Sequence, residues 1–135
     1  MERDSFEDFQ KRVRPEIEFV ERTLRRQLSE EPEGVVADVR KAEVWYARMQ
    51  TILAFAERYL DLAEKNKLPS KENLTEMERE KILAFRVASE RLLRDRSAGL
   101  LESLKTRILL GQTLLNYYRD LHVSEKPRAT HSSSR

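Results

Sequence analysis

The sequence predicts an all-α protein, an elongated helical hairpin or bundle of three to four helices, two of them long, that assembles into an oligomer. Charged residues make up 37% of the 135-residue chain and apolar residues 39%, with only three glycines and four prolines. This composition is typical of long helices with solvated faces. Apolar residues recur at spacings of three and four along most of the chain, as they do on one face of a helix.

The first helix is predicted to begin after Ser5. The Ser5 hydroxyl can cap the helix, and two acidic residues follow at positions that suit its positive end. Pro15 lacks a backbone N–H, so we expect a kink or a fresh start there. Acidic side chains outnumber basic ones in residues 1–33, which we interpret as an acidic N-terminal helical arm.

Residues 34–122 are predicted to form a long helical hairpin that supplies the core and the oligomerisation region. Its first half carries an unbroken heptad seam, and after the turn Thr75 and Glu78 form a capping box that restarts the helix. A helix from there to the end of the region would be about 70 Å long, whereas a compact domain of this size is about 35 to 40 Å across. Either this helix breaks near Gly99, or the protein is elongated and assembles with copies of itself.

Residues 123–135 contain no large apolar side chain after Val123, and we predict that this tail is disordered. No apolar run approaches the roughly 20 residues that span a bilayer, and the acidic, polar start is unlike a signal peptide. The chain has no cysteine, which excludes disulfides and thiolate ligands and suits an intracellular protein. We therefore expect a cytoplasmic protein, in the host cytoplasm if it is phage-encoded, with no membrane partner.

The seam of the second long helix includes an arginine. A guanidinium that is buried and unpaired is costly, so Arg107 must reach the edge, pair with an acid from another helix, or face a groove or lumen. One turn later, Gly111 allows two backbones to approach closely. We predict that copies of the chain meet through seam residues Val39, Tyr46, Met49, Leu53, Leu100, Leu104, Gly111, Leu114 and Tyr118.

Basic side chains exceed acidic ones between residues 86 and 107. Such an excess can contact phosphates and give salt-dependent, sequence-independent affinity for nucleic acid. The alternative is a solvated helix face with no ligand. The candidate nucleic-acid-binding residues are Lys65, Lys67, Arg86, Arg91, Arg94, Lys105 and Arg107.

Catalytic and cofactor motifs are absent from the sequence. His122 and His131 stand outside the helical spacings that bind zinc or a di-iron centre, and no Gly-rich phosphate loop occurs. We expect no catalytic residue, no metal and no cofactor. An enzyme that uses Arg107 with Arg94 or Glu102 is a further alternative, because some small helical enzymes build their sites from such residues.

An early helix carries Val44-Trp45-Tyr46-Ala47, and "DRSAGLLESLKTR" and "LLNYYRD" follow near the end of the chain. This order resembles the UvsY-type phage recombination mediators over about residues 40–120. The closest local match comprises Gly99, Leu101, Lys105 and Arg107, with Arg119 beyond. The resemblance implies helical subunits that form closed rings, bind single-stranded DNA and help to load a RecA-like recombinase in place of a single-strand-binding protein. It also implies a basic element that maps to Lys65 and Lys67.

From this resemblance we predict an oligomeric single-stranded-DNA-binding recombination mediator that is not an enzyme. Its expected partners are copies of itself and single-stranded DNA, with a RecA-like recombinase and a single-strand-binding protein as further candidates. The alternative is a helical oligomerisation or adaptor protein, such as a phage or bacterial assembly factor, that binds no nucleic acid. In that case the acidic arm could dock on the basic helix of a neighbour.

Overall fold

The computed structural model describes the backbone of residues 5–133 and the side chains of residues 5–123. This part of the chain forms four helices and no strand: α1 (Phe6–Arg25), α2 (Pro32–Lys67), α3 (Glu76–Arg86) and α4 (Ala88–Ser133). α2 has 36 residues and α4 has 46. The prediction of an all-α fold with two long helices is confirmed.

The two long helices pack against each other in opposite directions. Lys67, the last residue of α2, bonds to Glu90 near the start of α4. Gly111, much further along α4, lies against Val39 near the start of α2. α3 is a short helix in the connection, so the hairpin predicted from the sequence consists of α2 and α4.

The acidic arm folds onto its own chain as α1. Its apolar stripe is at most 2% exposed and comprises Phe9, Val13, Ile17 and Val20. Glu16 of α1 accepts two hydrogen bonds from Arg48 of α2, at 2.7 and 2.9 Å. Glu21 pairs with Arg96 of α4. α1, α2 and α4 therefore enclose one common core, and α1 supplies one wall of it.

Two helix starts lie where the sequence predicts them. The Ser5 hydroxyl accepts a hydrogen bond from the backbone N–H of Asp8 at 3.2 Å, which caps α1. The Thr75 hydroxyl accepts one from the backbone N–H of Glu78 at 3.1 Å, which caps α3. Each cap satisfies one of the backbone donors that the first turn of a helix leaves unpaired.

α1 has no fresh start at Pro15, where the sequence predicts a kink or a new helix. The helix continues from Phe6 to Arg25. Buried residues lie on both sides of Pro15 on the same stripe, so core packing holds the two halves in one helix. Pro15 itself is exposed, and solvent can therefore reach the backbone carbonyl that loses its partner.

Of the two alternatives for the second long helix, a break near Gly99 does not occur: α4 passes through Gly99, and the helical segments after the turn separate at Val87, between α3 and α4. Val87 is fully buried in a small cluster with Leu60, Ala63 and Leu83, so packing at the end of α2 fixes where the chain turns. The sequence also predicts disorder for residues 123–135, whereas α4 continues to Ser133. Residues 134 and 135 lie outside the described part.

Candidate interaction surface

Two of the predicted nucleic-acid-binding residues bond to each other's helix ends. Lys67 Nζ donates to the backbone carbonyl of Arg86 at 3.3 Å, and Arg86 Nη1 donates to the carbonyl of Lys67 at 3.0 Å. Lys67 also pairs at 3.2 Å with Glu90, whose side chain is 6% exposed. Cations suit the negative C-terminal ends of helices, so both charges stabilise the junction of α2, α3 and α4.

Two further predicted residues have acidic partners on the chain. Arg91 lies 3.3 Å from the carboxylate of Glu80 and 3.7 Å from that of Glu64. Arg94 contacts the neighbouring Asp95 at 2.9 Å. Glu64 and Glu80 lie outside the segment counted in the sequence, so part of its basic excess is paired on the folded surface.

Arg107 contacts the end of α1. Its Nη1 donates a 2.7 Å hydrogen bond to the backbone carbonyl of Arg26, the residue that follows α1 and caps it. The buried Nε atom of Arg107 has no hydrogen-bond partner within the described chain. The side chain is half-buried and lines a groove. A groove is one of the three placements that the sequence predicts for an arginine on the seam.

Lys65 and Lys105 are exposed and have no ion pair within the described residues. Lys65 lies in the last turn of α2, beside the first turns of α4, whereas Lys105 lies near the middle of α4. At 1.5 Å per residue they are about 20 Å apart along the helix axis. The seven candidate residues are therefore distributed along the molecule and do not converge on one site.

The predicted oligomerisation residues lie mostly between the helices of one chain. Val39, Met49, Leu104 and Gly111 are buried without a second copy. The other five are half-buried: Tyr46, Leu53, Leu100, Leu114 and Tyr118. The Tyr118 hydroxyl donates to the backbone carbonyl of Glu30 at 2.9 Å. The close approach predicted at Gly111 is confirmed, but the helix that approaches is α2 of the same chain.

α4 also carries a second stripe, which is not among the residues predicted above and which we call the outer stripe. Each of its positions precedes a position of the buried seam by one residue, and all of them are exposed: Leu92, Arg96, Gly99, Ser103, Thr106, Leu110, Thr113 and Tyr117. The spacing alternates between four and three throughout, which is a heptad pattern. This spacing is visible in the sequence, but the leucine-rich buried seam beside it is the stronger signal.

A groove of about 590 Å³ lies beside the outer stripe, between the end of α1 and the middle of α4. Its apolar walls are formed by Leu24, Leu28, Leu110 and Leu114. Arg26 and Arg107 also line the groove, together with the acidic Glu102. Arg94 does not line the groove. Of the residues predicted for an enzyme, which are Arg107 with Arg94 or Glu102, only Arg107 and Glu102 lie there together.

Within the described residues, no group of three or more histidine, cysteine or acidic side chains could hold a metal ion. None of the helices there is long and apolar enough to cross a membrane.

Comparisons with protein-family models, with curated proteins and with solved structures gave no match for this chain. The resemblance to UvsY-type mediators stays a prediction from the sequence.

Proposed function

We propose that this chain is a helical assembly module that binds an amphipathic helix along the outer stripe of α4 and the adjoining groove. The observation that carries this proposal is the exposure of eight successive heptad positions, among which Leu92 is 67%, Leu110 53% and Tyr117 58% exposed. Leu110 adjoins the apolar groove walls of Leu24, Leu28 and Leu114, and an exposed apolar patch of this kind is typical of an interaction site. This is the adaptor alternative of the sequence analysis.

The groove suits a helix with leucines on one face and acids beside them. Leu24, Leu28 and Leu110 can accept apolar side chains of such a helix at its i, i+3, i+4 and i+7 positions. Arg26 and Arg107 carry two positive charges at the same groove, against the one negative charge of Glu102. A partner helix with acidic flanks should therefore bind more tightly than one with basic flanks.

A synthetic peptide tests this proposal. The probe is a fluorescently labelled amphipathic helix of about three heptads with leucines at the a and d positions and glutamates beside them. We expect micromolar binding by fluorescence anisotropy, because the contact area is below that of a standard interface. A version with lysine flanks should bind more weakly.

Leu110→Glu should weaken peptide binding at least about tenfold, because it replaces an apolar wall of the groove with a carboxylate that repels the glutamates of the peptide. Val44→Glu is the control, since Val44 is likewise exposed, at 67% against 53% for Leu110, but lies on α2. Equal effects of the two substitutions, or no peptide binding by the unmodified chain, would contradict the proposal.

Binding of single-stranded DNA, as in a recombination mediator, is the second candidate function. It is favoured by Phe85, which is 85% exposed beside Arg86, since exposed aromatic rings with nearby cations can stack on bases. Lys65 and Lys105 supply charges that have no acidic partner among the described residues. In the mediator role, further copies of the chain, a RecA-like recombinase and a single-strand-binding protein would be its protein partners.

Anisotropy titrations with labelled single-stranded and duplex oligonucleotides, at about 0.05 M and 0.2 M salt, test the second candidate. Binding should prefer single strands, fall steeply with salt and weaken in Phe85→Ala and in Lys105→Glu. Met77→Ala is the control, because Met77 is 69% exposed on the same helix as Phe85 but carries no ring. Absence of binding at the lower salt concentration would eliminate this function.

A further inference from the structure

We infer that the partner helix of the groove carries one carboxylate within its apolar face, and that Arg107 binds this carboxylate through the edge formed by Nε and Nη2. The inference rests on the proposed function, because it names the chemical group that the same groove selects. It goes beyond a preference for acidic flanks, since it assigns one acid to one position of the partner helix and one arginine of this chain to that acid.

Arg107 is held in place by one hydrogen bond and keeps its other donors unused. Its Nη1 donates to the backbone carbonyl of Arg26, and this is the only hydrogen bond that its side chain forms with the described residues. A guanidinium has five N–H donors in a fixed fork, of which Nε–H and one Nη2–H point along the same edge. The Nε atom is buried without a partner, which disfavours the empty state of the groove.

Two other arginines of this chain use the same edge to hold a carboxylate. Arg48 donates from Nε and Nη2 to the two carboxylate oxygens of Glu16, at 2.7 and 2.9 Å. Arg96 pairs with Glu21 through the same two nitrogens. Such two-point contacts are typical of arginine with a carboxylate. Within the described residues no carboxylate takes this place at Arg107, and Arg107 lines the groove.

The polar side chains beside Arg107 leave this edge open. Glu102 lines the same groove, but it is exposed and forms no ion pair with the described residues. Five residues apart on α4, Glu102 and Arg107 point in directions that differ by about 140°. Ser103 lies four residues before Arg107, so the two are neighbours on one face. The exposed Ser103 hydroxyl has no hydrogen-bond partner among the described residues and can donate to the same incoming carboxylate.

The apolar part of the groove begins one turn beyond Arg107. Leu110 and Leu114 follow Arg107 by about 4.5 and 10.5 Å along the helix axis, and Leu28 also lines this part. A partner helix that lies along α4 has the same rise per residue. Its acid should therefore share a face with its leucines, three or four residues from one and seven from the next. A partner with leucines alone would cover Arg107 with apolar atoms and leave its donors unpaired, which is costly.

Two peptides test this inference on the natural chain. The probe is the labelled leucine helix with glutamate flanks, in which the leucine at the central a position is replaced by glutamate in one version and by glutamine in the other. Leucines then lie one turn away on both sides, so either direction of docking is tested. In fluorescence anisotropy, the glutamate version should bind at least about tenfold more tightly. Glutamate and glutamine have similar helix propensities, so the difference reports on the carboxylate.

A second pair of peptides measures the general attraction between opposite charges. Both keep leucine at the central a position, and glutamate is exchanged for glutamine at an f position, which points away from the groove. This exchange should alter the affinity by less than about threefold, because exposed charges are screened by salt. Equal affinity ratios for the two pairs would show that the groove selects no particular acid, and would overturn the inference.

Substitutions in the chain connect the preference to Arg107. Arg107→Gln should lower the affinity ratio of the central glutamate and glutamine peptides below about threefold. Arg107→Lys keeps the charge but loses the planar fork, and it should lower the ratio as well. Arg58→Gln removes the same charge from an exposed position of α2 and should leave the ratio unchanged. A ratio that persists in Arg107→Gln overturns the inference, and the comparison on the natural chain stands even if a variant does not fold.

Failure of this inference can be distinguished from failure of the proposed function. If the all-leucine peptide with glutamate flanks binds, but the central glutamate and glutamine versions bind equally, the chain keeps its function as an assembly module and loses the selection by Arg107. If no peptide binds, both are lost. Decanoate tests a small amphipathic acid as the occupant. If it displaces the labelled peptide at a lower concentration than the unlabelled glutamate version does, the inference is overturned.

Discussion

Alanine at the two glycines of α4 tests the packing of this helix, because the same substitution meets opposite surroundings. Around Gly99 no atom lies within 4 Å of the position that a Cβ would take. At Gly111 the Cβ would lie 2.3 Å from Val39 Cγ2, whereas carbon atoms in ordinary contact are about 3.5–4.0 Å apart. The added methyl group is therefore free at Gly99 and blocked at Gly111.

The two substitutions should change the free energy of unfolding in opposite directions. Gly99→Ala should raise it by about 1 kcal/mol, the preference for alanine over glycine in a helix interior. Gly111→Ala has the same gain, but Val39 or α2 must move by about 1.2 Å or more to restore ordinary contact. Overpacking of this kind costs about 1–3 kcal/mol, and Val39 is 6% exposed and β-branched, hence stiff. We expect a net loss of about 1 kcal/mol for Gly111→Ala.

Urea denaturation measures both values. Val39→Ala provides the internal control, because it removes the methyl group that collides. It should cost about 1 kcal/mol less in the Gly111→Ala background than in the natural chain, as contacting residues commonly show couplings of this size. Equal stability changes for the two glycine variants, or equal costs of Val39→Ala in both backgrounds, would refute the close helix crossing.

Two further predictions concern ion pairs. Lys67→Ala should lower the free energy of unfolding by about 1–3 kcal/mol, because it leaves the buried Glu90 carboxylate without its cation. Lys65→Ala is the control and should change the free energy of unfolding by less than about 0.5 kcal/mol, because Lys65 is exposed and has no ion pair within the described residues. Similar losses in both variants would contradict a stabilising role of the Lys67–Glu90 pair. The hydrogen bond from Arg48 holds the pKa of Glu16 below its ordinary value of 4.5, so the pair stabilises the fold above about pH 4.5 and this contribution is lost as the pH falls through the lowered pKa. Glu16→Gln should therefore lower the free energy of unfolding by about 0.5 kcal/mol at pH 7 and remove this part of the acid sensitivity. Urea denaturation at several pH values measures the free energy of unfolding of both proteins. If the two plots of this free energy against pH are parallel, the prediction is contradicted.

Local signals were sufficient for the helices and for some of their ends. Ser5 and Thr75 cap helices as predicted, because a capping hydrogen bond joins residues three apart and needs no distant partner. The glycine at position 111 also gave a correct signal of a close helix crossing. The sequence could not say which helix approaches, and α2 of the same chain does.

The basic residues show the limit of such reasoning. A run of arginines and lysines in the sequence does not show which carboxylates or carbonyls fold against it. Arg86 bonds to a carbonyl 19 residues away, and Arg107 to one 81 residues away. These contacts depend on how the helices pack, so counting charges along the sequence overestimates the number of basic side chains that are free to contact a polyanion.

The sequence by itself determined that the chain is helical and where the apolar stripes lie, because helix periodicity and capping act over a few neighbouring residues. Only the tertiary structure decided which stripe of α4 is buried, since two heptad series one residue apart both fit a helix. Packing of Leu93 and Leu104 against α1 and α2 buries one series and exposes the other. The tertiary structure also decided that the helix break lies at Val87 and not at Gly99, because Val87 is buried in a cluster at the end of α2. Such choices depend on the total contact area of distant segments, which no local pattern contains.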